Sequence, residues 1–517
     1  MILRLFIFAL SSSMALSNPA PLQPGHVAVV YNSASQKSRE LAEFYAMNRR
    51  IPVANLVGLI LPEEETIDRE AFERRVRDPL REEFTKRQWW TLGKNQNGVL
   101  IAASNKIRCL ALMKGVPLRI TRSEIPAGEA QSKGQFLEIN EASVDSELAV
   151  MGIHGLPIGG PIANKYFNKE VPFIQMPTPY LLLVGRIDAK SYLTCQRMVL
   201  DALDAEEKGL WGKTYLDFAL KGGAFAIGDK WLEGITKRAL ASGFPTITDR
   251  TKDTFVTNYP MSDAAIYFGW YTFHRNGPFL NPELKLQRGA IAVHLHSMSA
   301  AQLTDPSKNW SAALLESGAA ATLGNTWEPY LQFSHNFDIF HDRLLKGYSL
   351  AESASMAMNA MSWQNLVLGD PLYRPFKNNG KQPEDMNESK EYKILRMAHE
   401  HWTDSKMRNG KLKGAAERMK SGILFEAMAW EALEAHDYDN ASKQFLLAED
   451  SFVSRPDQLR QILNQVELER RREDPEKALG LLKIAVKKFR DLPQIKAAQA
   501  QIVILDPPAP PATKLKK

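Results

Sequence analysis

The chain has 517 residues, with 65 Lys and Arg against 59 Asp and Glu, a formal net charge of +6. A hydrophobic share of 44% with 24% charged residues is a globular balance that excludes a fibrous or largely disordered protein, and the length is enough for roughly three domains. The basic charges are scattered, without a dense Lys/Arg block or interleaved aromatic stripe ahead of the tail, which argues against nucleic acid as a partner.

Arg4, the apolar run that follows it, and the small residues Ala15 and Ser17 predict a cleavable secretory signal over 1–17. That run, about 12 residues, is shorter than the roughly 20 that span a bilayer core, and no later segment is long and apolar enough. An exported protein, periplasmic or extracellular and without a transmembrane segment after cleavage, is therefore expected. Cys109 and Cys195 are the chain's two cysteines. They exclude a disulfide scaffold or a Cys-rich zinc site and leave open one bridge or two separate buried thiols.

From 26 onward, short β-rich runs alternate with amphipathic stretches. Val27 to Tyr31 predict a strand, 35–50 a helix with Leu41, Ala42, Tyr45 and Ala46 on one face, 56–61 a strand, 68–87 a charged helix and 98–103 a further strand. This βαβαβ order predicts a mostly parallel sheet covered on both faces, the first α/β half at 26–190. The Gly- and Pro-rich stretch 125–178 reads as a long excursion, with Asp145 and Glu147 on a helix. A second α/β half at 191–376 follows. Its predicted strands lie at 215–220, 264–271, 290–296 and 319–323, after one at 180–184, and its helices at 191–208, 229–242, 310–317 and twice between 335 and 361. Arg186 and Asp188 are expected to form a structural ion pair, and Asp370 before Pro371 a turn.

A polar linker at 377–395 precedes an all-helical domain at 396–505, and 506–517 is expected to be disordered. Tyr438, Ala441, Phe445 and Ala448 are matched 37 residues later by Pro475, Ala478, Leu482 and Ala485. This pattern resembles tetratricopeptide repeats, with a pair of plain helical hairpins as the alternative. The resemblance implies a protein or peptide partner held by this domain.

Gly289 to Ser299, then Ala319 to Trp327, then Gly347-Tyr348-Ser349-Leu350-Ala351-Glu352-Ser353 and Gly369-Asp370-Pro371 form an ordered series. The series resembles the caspase-like fold of the gingipain-type cysteine peptidases and the CHAT domains. Region 26–376 also looks like a bacterial family of exported proteins of unknown function, through Val29 to Ser33, Gly115 to Ile120, Ala142 to Leu148 and Glu328-Pro329-Tyr330. The peptidase resemblance implies a catalytic Cys after the strand at 290–296 and a catalytic His after the strand at 264–271. This chain has His296, Ser297, Met298 and Ser299 at the first place and Trp270 and Tyr271 at the second, so the Cys–His dyad is missing.

Three chemistries remain. Ser297 as nucleophile with His274 as base would form a substituted dyad. His294 and His296, two apart on a strand, with His335 and Asp338, three apart at a helix start, would hold Zn or Fe as a hydrolase centre. Trp270, Tyr271, Trp327 and Glu328 would line a binding cleft at the carboxyl ends of the strands. The sequence thus predicts an α/β protein with a two-half caspase-like sheet region and a helical domain similar to tetratricopeptide repeats. Its expected role is binding or scaffolding in the cell envelope, with a metal or Ser–His hydrolase as the alternative.

Overall fold

The computed structural model describes residues 22–125, 136–251, 254–377 and 390–507. The expected signal, most of the expected linker and nearly all of the tail lie outside them. The architecture is mixed α/β followed by an all-helical region.

The first half opens with β1 (Val27–Asn32), α1 (Gln36–Arg49) and β2 (Leu56–Leu59). Ser35 caps α1 by accepting the Ser38 N–H, and Leu41, Ala42, Tyr45 and Ala46 form its buried stripe as the periodicity required. The charged stretch is helical from Arg69 to Lys86, the last part being α2 (Asp78–Lys86). The run at 98–103 is not the next strand of the main sheet. Leu100–Asn105 instead pairs antiparallel with Trp90–Lys94 in an exposed hairpin, and the sheet takes β3 (Cys109–Met113), buried at every position. A strand buried on both faces reads as a continuous apolar run, and Cys-Leu-Ala-Leu-Met is one. The long excursion contributes α3 (Val144–Ala149), which covers one face of β4 (Leu183–Ile187), and α4 (Tyr192–Lys208) follows.

The second half comprises β5 (Lys213–Asp217), α5 (Ala226–Ala241), β6 (Thr246–Asp249), β7 (Ala264–Gly269), β8 (Ile291–His294), α6 (Ser311–Glu316), β9 (Thr322–Asn325), α7 (Phe337–Leu345), α8 (Leu350–Met356) and β10 (Asn365–Leu368). Strands run in the orders β2-β1-β3-β4-β10-β9 and β6-β5-β7-β8. The two sheets meet through a parallel bridge between Ile291 and Ala321, where the Ala320 N–H donates to the Ala290 carbonyl at 2.8 Å. The strands β2, β1, β3, β4 and β10 are parallel. β10 is antiparallel to β9, and β9 continues parallel into β8, β7, β5 and β6. The direction therefore reverses between β10 and β9, and β10, although it comes from the second half, runs with the strands of the first.

Seven helices complete the described chain: α9 (Lys390–His401), α10 (Ser405–Met419), α11 (Gly422–Glu434), α12 (Tyr438–Ser451), α13 (Arg455–Arg471), α14 (Pro475–Lys488) and α15 (Ile495–Leu505). Helices α11 with α12 and α13 with α14 form stacked hairpins, in which Ala441, Phe445 and Ala448 and their counterparts Ala478, Leu482 and Ala485 are all buried. Helix α13 is buried at eleven successive positions, Leu459 to Glu469, although its sequence is strongly polar. The reason is that it is walled in by its neighbouring helices and by the β5–β7 region. Arg460 and Glu426, both fully buried, pair at 2.7 Å. Arg460 also donates to the Ser262 hydroxyl at 2.7 Å, and the Tyr259 hydroxyl donates to the Asn464 side-chain carbonyl at 3.1 Å. The inner surface of the helical region is thus committed to the α/β region.

Candidate functional site

In the second half the chain passes from β5 to β6 on one side and then crosses to β7 on the other side of β5, so the topological switch lies between β5 and β7. Ligand crevices of open α/β sheets form outside the carboxyl ends of strands at such a point. There the register sets Asp217 beside Gly269 and Gly269 beside His294. The segments that the sequence singled out, 270–274 and 294–299, leave from neighbouring parallel strands at this edge.

His294 is consumed by the core. The Thr272 N–H donates to its Nε2 at 3.2 Å, so the ring proton is on Nδ1, 3.0 Å from the Tyr267 hydroxyl. Tyr267 in turn donates to Asp217, whose carboxylate also accepts the Phe255 N–H. The imidazole stacks on Trp310 with centroids 3.7 Å apart. Burial, and then His296, hold its pKa well below the usual histidine value, which keeps the ring neutral.

His296 differs. Its Nδ1 donates to the Ser297 carbonyl, which leaves Nε2 as an acceptor with no partner among the described residues. Tyr271 and Phe273 flank the ring with centroids at 4.8 Å. Burial lowers its pKa, while the Ser297 carbonyl and the nearby Glu328 carboxylate oppose that. Lys221 lies 4.6 Å over the Tyr271 ring, Phe225 stands 5.5 Å from it, and Phe225 and Phe273 are exposed. Lys221, Phe225 and Phe273 were not among the expected site residues. The available signal was Gly222-Gly223 just past a strand, a turn that can present its flanking side chains.

The other expected residues divide between core and surface. Trp270 is core: its ring lies against α5, where a Cβ on Gly228 would meet it at 2.4 Å, and its Nε1–H donates to Asp229. Trp327 lies under the Arg119 guanidinium, 4.3 Å from its ring, and exposed Glu328 accepts the Tyr330 N–H. His274 is exposed with its edge against Phe273, and among the described residues no hydrogen bond joins it to Ser297. The Ser299 hydroxyl accepts the Asn325 N–H.

The metal quartet is not brought together. Asn336 is the N-cap of α7, so His335 stands outside the helix and the three-residue spacing to Asp338 does not put them on one face. His335 is buried against the Asp145 region with Nε2 unpartnered, whereas Asp338 pairs with Arg238 at 2.9 Å. β8 ends at His294, so the strand alternation that aligned it with His296 stops there, and both His294 ring nitrogens are taken up by Tyr267 and Thr272. Among the described residues no group of three or more His, Cys, Asp or Glu is gathered for a metal ion.

Arg186 is fully buried, bidentate on Asp145 and 3.5 Å from Asp188, and it also donates to the Val116 and Pro117 carbonyls. This is the expected structural ion pair, widened into a network. Asp370 accepts the Leu372 N–H as a turn-former does, and also the Tyr45 hydroxyl and Arg49 Nε. Cys109 and Cys195 are buried free thiols, both with pKa values raised by burial. No family model, no curated protein and no solved structure matches the chain.

Proposed function

We propose that the protein is an exported binding member of the caspase-like fold that has lost the Cys–His dyad and recognises an extended peptide at the carboxyl edge of β7 and β8. One observation carries this reading: His296 offers an acceptor nitrogen between the Tyr271 and Phe273 rings. A bare imidazole nitrogen accepts a peptide N–H, and exposed aromatic faces supply contact area at small entropic cost. The order of strands supports the same reading. The two segments that deliver His and Cys in the family it resembles leave from adjacent parallel strands here, with aromatics, imidazole and serine in their places.

We put the partner at this edge and not on the helical region, a choice supported by α13, an inner helix of that region, whose side chains are already bonded to the α/β region. The cell envelope, periplasmic or extracellular, remains the proposed location. Selection of displayed peptides on the whole mature chain tests the proposal. Enriched peptides should bind the protein but not Phe273→Ala or His296→Ala, and should be recovered uncut. Cleaved peptide, or labelling of Ser297 by a fluorophosphonate, would establish the hydrolase instead. Enrichment unchanged in both variants would remove the site.

A further inference from the structure

The helix at Arg69–Phe72 passes through a π-helical turn at Glu73–Arg77 before continuing as α2. Arg69, Glu73, Arg77 and Arg81 are four residues apart. In a regular α-helix such a column drifts by about 40° per step, because four residues exceed one turn of 3.6. A π turn takes up an extra residue and counters that drift, and π turns are frequent at functional sites. The four side chains line a cavity of about 330 Å³, within the size range of small-ligand pockets. Val150, Met151, Ile153 and Leu156 supply its apolar lining.

The guanidinium groups are held in place but not exhausted. Arg69, with its side chain 7% exposed, pairs with Glu147 at 2.8 Å and donates to the Asn140 carbonyl, while its buried Nε has no partner. Arg77 uses Nε on Asp78 and Nη1 on Glu73. Arg81 donates Nε and Nη2 to the Met151 and Ile153 carbonyls, leaving Nη1 3.6 Å from Asp78. Two carboxylates, Glu73 and Glu147, line the cavity against three guanidinium groups. The further counter-charge, Asp78, is half-exposed and outside the lining.

We propose that this cavity binds a small monocarboxylate with an apolar substituent, the carboxylate on the Arg69, Arg77 and Arg81 guanidinium groups and the substituent against Val150, Met151, Ile153 and Leu156. Glu73, Glu147 and Asp78 balance the three charges but leave guanidinium N–H donors unused, among them the buried Arg69 Nε, and planar guanidinium forks suit a carboxylate. The assignment is independent of the peptide site at β7 and β8. A free aliphatic acid and a peptide ending in an aliphatic residue share this chemistry.

Calorimetric titration of the full mature chain tests it with hexanoate, butanoate, hexylamine, and an acetylated dipeptide ending in leucine as free acid and as amide. Hexanoate should bind about fifteenfold more tightly than butanoate, at roughly fourfold per methylene. Hexylamine and the peptide amide should not bind. Tighter binding of the peptide acid than of hexanoate assigns the site to a chain terminus, and the reverse to a free acid. Arg77→Gln should weaken binding about tenfold, the order expected for a lost charged hydrogen bond. Glu73→Gln should tighten it about threefold by freeing Arg77, an effect of opposite sign that a merely structural role does not give. Both side chains are partly exposed, so folding survives. Absence of hexanoate binding at millimolar concentration, equal binding of hexylamine, or an unchanged Arg77→Gln variant would overturn the proposal.

Discussion

Replacing Glu426 with Ala strips Arg460 of its main partner at a place where neither side chain reaches solvent. Arg460 donates both Nε and Nη2 to the Glu426 carboxylate, at 2.8 and 2.7 Å, and Asn464 donates to the same group at 3.1 Å. Breaking a buried pair by removing one partner costs about 3–5 kcal/mol. Asp457 and Ser262 stay on Arg460 Nη1, so the low end, about 3 kcal/mol, is expected. The double variant Glu426→Leu with Arg460→Met removes both charges of the pair, and apolar replacement of a buried pair is often neutral, so it should recover part of that loss, the remainder reflecting Asp457, which loses Arg460 and keeps the Ser262 hydroxyl. Urea unfolding followed by near-ultraviolet dichroism measures both effects, since midpoint shifts at constant slope report stability. The pair lies where α11 and α13 meet the β5–β7 region, so both regions should lose structure in one transition. A single variant within 1 kcal/mol of the parent, a double variant as weak as the single, or separate transitions for the two regions would refute the reasoning.

His294, His335 and His341 are buried and kept neutral, His335 and His341 with pKa values pushed down to about 3, chiefly by burial. Below pH 6.5 the unfolded chain binds protons that the folded chain refuses, so stability falls with pH by up to about 1.4 kcal/mol per unit for each group. His341→Gln should remove about one third of the slope due to these three groups, measured by urea titration between pH 6 and 4.5. Asp249 acts in the opposite direction: burial and then Glu467 raise its pKa to about 7, so the folded chain holds a proton that the unfolded one releases above about 4. Asp249→Asn should therefore lose less stability than the parent as pH rises from 5 to 8, and equal losses would show that the carboxyl is already ionised. Cys109 and Cys195 should resist a thiol reagent in the native protein and both react after unfolding. Fast native labelling, or a disulfide seen by mass, would contradict their burial as free thiols.

Helices were legible where the chain caps them. Ser35, Ser191 and Ser349 each accept a backbone N–H at the start of a helix the periodicity had located, and Ser349 and Glu352 close a capping box. Two apolar runs, 98–103 and 109–113, were equally strand-like by local pattern. Only the competition for the central sheet position put Cys109–Met113 inside and left its neighbour in a hairpin. The candidate site was half legible. His294 ends β8 and His296 follows it, but Tyr267, Thr272 and Trp310 spend the first. Lys221 and Phe225 come to Tyr271, beside the second, from more than forty residues upstream.

The sequence by itself determined the alternation of strand and helix and the all-helical character of the last third, because each depends on residues close in the chain. Tertiary structure decided which of two buried histidines is bonded at both ring nitrogens and which keeps one without a partner among the described residues. It also decided whether His335 and Asp338 meet, where the strands of the sheet reverse direction, and what covers the polar helix α13. Those outcomes depend on burial and on partners tens to hundreds of residues away, and desolvation, which fixes the state of a buried polar group, has no local signature.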